Sequence, residues 1–164
     1  MSSTHTITDQ DLVHLRRCVD LAREALEAED EPFGSLLVDG AGTVRFEDRN
    51  RVSGGDSTRH PEFAIARWAA ENLTPEERAA SVTYTSGEHC AMCSAAHAWV
   101  GLGPIVYAVG TEQLTSWHAE WGVEPGPVAP LPIHAVAPEV PTRGPVPELA
   151  EEIRALQARS AGVA

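Results

Sequence analysis

The stretch "SVTYTSGEHCAMCSAAHAWVGLGPIVYAVG", residues 81–110, decides how this chain folds. Its first part, "SVTYTS", is short and β-branched and reads as a strand. Its last part, "PIVYAVG", is an apolar run of the kind found in strands buried on both faces. A helix is predicted between them, from about Cys90 to Val100. Strand, helix and strand in this order make a right-handed parallel crossover.

Upstream, Leu12, Leu15, Val19, Ala22 and Leu26 recur at helical spacing, so an amphipathic helix is predicted from Asp9 to about Glu29 with Thr8 as its cap. "FGSLLVDG" (33–40) and "TVRFEDRN" (43–50) flank a glycine-containing turn and read as a hairpin. "PEFAIARWAAENL" (61–73) opens with proline at a helix-start position and is apolar nearly all round, which predicts a buried helix. A hairpin followed by strand–helix units gives an α/β layered domain with a mixed sheet. Eight of the 12 prolines fall between Pro125 and Pro147. From about residue 123 the chain therefore reads as a Pro-rich extension of a single 1–164 domain, mostly extended, with one strand expected at "IHAVA" (133–137). A final helix, "PELAEEIRALQAR", sets Leu149, Ile153 and Leu156 on one face. It suits packing on its own domain or on a partner subunit.

The chain has 164 residues, enough for one domain with a full core. No apolar run approaches the roughly 20 residues that span a bilayer, and "MSSTHTITDQ" lacks the basic and apolar regions of a secretory signal. A cytoplasmic protein with no membrane association is expected. The net charge of −12, the absence of lysine and the scattered arginines disfavour a nucleic-acid partner and suit a small neutral substrate.

Chemistry concentrates in "HPE" (60–62) and "CAMC" (90–93). Each opens a predicted helix, and Cys90 and Cys93, three residues apart, face the same way. Helix N-termini favour the thiolate that binds metal. Two thiolates and the His60 imidazole suit zinc and leave its fourth position for water, which then ionises near neutral pH. Glu62 is placed to carry the proton. CxxC alone also fits a redox pair, and a purely structural zinc module is the non-enzymatic alternative; the chain has no second CxxC to complete a four-cysteine site. His89 is poorly placed to close the same tetrahedron as its neighbour Cys90. Cys18 reads as a small buried hydrophobe, Trp68 as core, and His97 as packing or supporting the metal helix.

His-x-Glu opening one helix and CxxC the next is the zinc deaminase pattern. With "EPFGSLLVDGAGTV", "RNRV", "STRHPEFAIARWAA" and "YTSGEHCAMCSAAHAWVGLGPIVYAVG", the chain resembles the cytidine and deoxycytidylate deaminase superfamily, in its guanine deaminase and tRNA adenosine deaminase branch. The resemblance runs from about Leu12 to Gly110, with Pro61 replacing the usual alanine and His89 the usual proline. It implies a three-layer α/β/α fold, with a mixed five-stranded sheet and helices on both faces. It implies one zinc per chain on His60, Cys90 and Cys93, with Glu62 as proton shuttle and a homodimer as the assembly. Asn50 falls where the family hydrogen-bonds the base, Phe33 lies in the "PFG" element near the pocket, and Glu88 belongs to the loop beside the leaving amine. The "TSWHAEWG" region (115–122) is expected to be an amphipathic helix. Because pocket residues of this branch come from there and from the tail, Trp117, His118 and Glu120 join the candidates. The expected activity is hydrolytic removal of the exocyclic amine of a free nucleobase or related heterocycle (guanine, cytosine or aminotriazine type), releasing ammonia. A nucleoside deaminase or tRNA adenosine deaminase is the alternative.

Overall fold

The computed structural model describes residues 6–163. Residues 1–5, the start of the segment read as carrying no signal, lie outside the described residues. Helix α1 (Asp9–Glu27) begins as the sequence predicts. The Thr8 hydroxyl accepts from the Asp11 N–H at 3.1 Å while the Thr8 N–H donates to the Asp11 carboxylate at 2.9 Å. The hairpin follows as β1 (Gly34–Val38) and β2 (Val44–Arg49). Gly34 is required where β1 meets α1, because a Cβ there would lie 2.4 Å from both the Cys18 carbonyl oxygen and the Leu21 Cβ.

After α2 (Pro61–Asn72) and the short α3 (Pro75–Ala79) comes the crossover: β3 (Val82–Gly87), α4 (Ala91–Trp99) and β4 (Ile105–Val109). The last elements are α5 (Thr111–Glu120), α6 (Ile133–Val136), β5 (Thr142–Arg143) and α7 (Pro147–Ser160). The sheet order is β2-β1-β3-β4-β5; β1 is antiparallel to both neighbours, while β3, β4 and β5 are parallel. This is the mixed five-stranded α/β sheet expected from the sequence.

The "IHAVA" expectation needs correction. These residues form α6, with Pro132 at its start, and the fifth strand is Thr142–Arg143. Five residues between Pro132 and Pro138 are too few to tell a strand from a helical turn, and proline suits a helix start.

All five β1 residues are buried, because both faces of the sheet are covered. Leu36 and Val38 join Leu15, Val19 and Ala22 of α1 and Leu149, Ile153 and Leu156 of α7 in one cluster. Leu37 points the other way, to Ile65 and Ala69 of α2. The C-terminal helix thus packs on its own domain. Asp11, Tyr84 and Arg143 tie down β5, the strand before that helix: the Tyr84 hydroxyl donates to Asp11 at 2.7 Å, and the Arg143 guanidinium pairs with the same carboxylate. Cys18 is fully buried in the first cluster, and burial pushes its thiol pKa up. Among the described residues no helix is long and apolar enough to cross a membrane.

Candidate active site

The N-termini of α2 and α4 meet at one end of the sheet. His60 is the N-cap of α2, Cys90 is the N-cap of α4, and Cys93 lies one turn further in. Their ligand atoms all lie within 4.8 Å of one another. His60 Nδ1 is 3.6 Å from the sulfur of Cys90 and 3.6 Å from that of Cys93. Tetrahedral zinc, with bonds of about 2.3 Å to sulfur and about 2.0–2.1 Å to nitrogen, sets these atoms about 3.6 Å apart, so donor chemistry and spacing both fit the ion.

The three side chains are tightly coupled, and the coupling makes Cys90 the thiolate. The Cys93 thiol and then His60 hydrogen-bond to Cys90 and hold its pKa down at about 4. The same bond to Cys90 raises Cys93, and contact with the Cys90 thiolate raises His60 to about 9. The positive ends of two helices add to the preference for thiolate.

Glu62, in the first turn of α2, is buried beside the triad. Strand alternation puts Ser35 on the same face of β1 as Leu37, toward α2, and its hydroxyl donates to Glu62 Oε1 at 3.0 Å. Thr85 of β3 lies 2.9 Å from Ser35 Oγ, and its own hydroxyl donates to the Gly87 carbonyl at 2.8 Å. Burial raises the Glu62 pKa against the opposing pull of His60, the combination expected of a group that accepts a proton and returns it.

A cavity of about 500 Å³ opens onto His60, Glu62 and Cys90. Phe33, Asn50, Glu88 and His118 also line it. Asn50 is held rigidly, its backbone N–H donating to the Phe33 carbonyl at 3.0 Å and its Oδ1 accepting from the Val52 N–H at 3.1 Å. Its amide nitrogen is left as the donor, leaning toward Glu31 at 3.5 Å. Trp117 and Glu120 are not among the lining residues. Trp117 packs against the α1/α7 cluster and stacks on Trp121, while Glu120 pairs with Arg154 in solvent. They share α5 with His118 but lie on other faces of that helix. Glu88 lines the cavity, yet both of its carboxylate oxygens are taken by backbone N–H groups, those of Thr111 and Ile133.

His89 is fully buried, edge-on to His97 with ring centroids 5.5 Å apart, and is not in the triad. Neither of its ring nitrogens has a partner among the described residues, and burial keeps it neutral. His97 hydrogen-bonds the Gly103 carbonyl oxygen at 2.7 Å and so supports α4 from its far end. Trp68 is half-buried and stacks on Phe46, whereas Trp99 is 89% exposed.

Sequence reasoning missed Glu31 and Gln157. Gln157 is buried on α7, where its Nε2 donates to the Pro32 carbonyl at 3.2 Å, and it lines the cavity with Ser160 and Ala161. One sign was available: a glutamine directly after Leu156 of the apolar stripe. Glu31 carries no such sign, since it follows an acidic helix end that reads as solvated.

Comparison with known proteins agrees with this geometry. The family model described as the cytidine and deoxycytidylate deaminase zinc-binding region matches residues 8–109. A probable cytosine deaminase of Schizosaccharomyces pombe is 33% identical over 114 residues, 70% of this chain and 68% of that protein. A tRNA-specific adenosine deaminase of Agrobacterium fabrum is 36% identical over 87 residues, 52% of this chain and 57% of that protein. The solved structure of a guanine deaminase from Nitrosomonas europaea superposes with a TM-score of 0.68, covering 96% of this chain and 86% of that one at 19% identity, and so bears on the fold alone. With the matched model spanning both helix openings and all three metal-binding side chains, the chain belongs to the cytidine and deoxycytidylate deaminase family.

Proposed function

We propose that the protein is a zinc-dependent hydrolytic deaminase of a free nucleobase or related amino-substituted heterocycle, of the guanine, cytosine or aminotriazine type. One observation carries the choice of substrate class. The cavity beside Glu62 is lined by Glu31, Glu62 and Glu88 without a single arginine, and the chain's own α7 and the 123–131 segment close it. Such a pocket has nothing to bind a phosphate and little room for a polymer. The relatives include proteins named for cytosine and for tRNA adenosine, and the acidic lining favours a free base over a tRNA.

His60, Cys90 and Cys93 would hold the zinc, which would supply Lewis acidity and make water nucleophilic at neutral pH. Asn50 donates an amide N–H to an acceptor on the ring and orients it. Phe33 packs against the base. Glu62 takes one proton from the attacking water and gives it to the ring nitrogen; it then takes the second proton, from the hydroxyl now on the ring carbon, and gives it to the amine, which leaves as ammonia while the carbonyl forms. Ser35 fixes the carboxylate through these steps. The homodimer implied by the resemblance belongs to the same reading, supported by the exposed Trp99 on an α4 that carries no charged residue.

An ammonia-release screen of the zinc-loaded protein against bases, aminotriazines, nucleosides and tRNA tests this. Turnover of a free base is expected, with kcat/KM for its nucleoside at least about tenfold lower. Editing of tRNA at physiological salt, with no turnover of any base, would overturn the assignment.

A further inference from the structure

We propose that Glu88 is the clasp that keeps residues 111–133 folded over the pocket and thereby sets its selectivity for size, an inference that rests on the free-base reading above. Glu88 sits between the end of β3 and the metal-binding N-cap Cys90, and its own N–H donates to the Val109 carbonyl at 2.9 Å. Its Oε2 accepts from the N–H of Thr111, the first residue of α5, at 2.8 Å. Its Oε1 accepts from the N–H of Ile133, the first residue of α6, also at 2.8 Å. One carboxylate therefore joins the beginning and the end of a single excursion of chain.

That excursion supplies nearly half of the residues lining the cavity, among them Leu114, His118, Val128 and Leu131. Among the described residues, no backbone–backbone hydrogen bond ties 121–132 to chain outside 117–135. Its prolines, at 125, 127, 130 and 132, also have no N–H to offer. What closes the excursion over the pocket is its packing, the solvent-exposed contacts of Arg154 of α7 with Glu120 and Trp121, and the two charge-assisted bonds at its base. Glu88 is thus a positioning residue: both of its oxygens are engaged by backbone N–H groups, and it acts through the wall it holds. Releasing the base of the loop lets that wall move out and admits a base that carries a sugar.

The test uses the zinc-loaded full chain with Glu88→Ala and Glu88→Gln, with zinc content measured in each. Two quantities are read: amide hydrogen exchange at Thr111 and Ile133, and the ratio of kcat/KM for a free base to that for its nucleoside. In Glu88→Ala the two amides are expected to exchange at least about tenfold faster, since local opening no longer breaks a charge-assisted bond. The base-to-nucleoside ratio is expected to fall by about tenfold, the nucleoside gaining more than the base loses. Glu88→Gln, which keeps one acceptor oxygen, should lie between Glu88→Ala and the parent, and it carries both readings should the alanine variant fail to fold or to hold zinc. Wild-type exchange at both amides overturns the clasp. Faster exchange with an unchanged ratio overturns the selectivity. Should the parent protein deaminate neither compound, the free-base reading and the size selectivity fall together, while the exchange rates still decide the clasp.

Discussion

The wall of the pocket that carries His60, Glu62, Cys90 and Cys93 is made of two helix N-termini set against strands, each side chain held by hydrogen bonds or by its neighbours in the triad. A second wall is made of α5, the irregular proline-rich segment after it and the end of α7, and Val123, Val128 and Leu131 of that wall lie partly in solvent. The first wall falls inside the matched 8–109 and the second outside it. Groups that need fixed geometry sit on rigid element ends, while the outer wall, on which the proposed size selectivity rests, is a part of the chain that can vary without disturbing them.

The largest effect expected from probing this division tests whether the second wall is an appendage. Ile153 of α7 lies in the same buried cluster as Leu15, Val19, Leu36 and Val106. Ile153→Ala should cost about 3 kcal/mol of whole-domain stability, read as a single lowered unfolding transition by calorimetry. A separate early transition, with the main one unmoved, would make the tail an independent unit.

A smaller effect concerns Asp11, which ties β5 of the extension to α1 and β3. Burial alone would raise its carboxyl, but hydrogen bonds from Arg143, the Thr8 N–H and Tyr84 outweigh it and hold the pKa at about 2, against 3.8 ordinarily. A depressed folded pKa contributes stability that is present above the ordinary value and is lost as pH falls through the folded one. Denaturant titration should therefore show about 2 kcal/mol lost between roughly pH 4 and pH 2, a loss absent from Asp11→Asn.

The smallest effect is expected at Glu120, which shares α5 with His118 but pairs with Arg154 in solvent. Glu120→Ala should leave kcat/KM within about twofold of the parent, as for surface substitutions generally. A larger loss would move the substrate wall round the helix.

The metal wall was legible because its signals are local. His60 and Glu62 are two residues apart, the cysteines three, and each set opens a predicted helix, one marked by its opening proline and apolar run, the other by its place between two strands. The hairpin, the buried α2 and the parallel crossover were legible for the same reason. The second wall depends on contacts distant in sequence. Glu88 meets Ile133 across 45 residues, and Gln157 meets Pro32 across 125. No spacing rule marks such pairs. The reading of 133–137 as a strand failed there too, because the helix start at Pro132 and the capping Glu88 decide that turn. At "TSWHAEWG" the helix was legible, but which face meets the pocket depends on how α5 lies against the sheet; it turns His118 in and leaves Trp117 to the core.

The central claim is that Glu62 moves the proton at a metal site built by His60, Cys90 and Cys93. The most direct measurement is zinc content together with ammonia release for Glu62→Gln beside the parent protein. The account predicts wild-type zinc stoichiometry with ammonia release from the preferred base lowered by about 10²–10⁴-fold. Normal ammonia release from a zinc-loaded Glu62→Gln protein would contradict it.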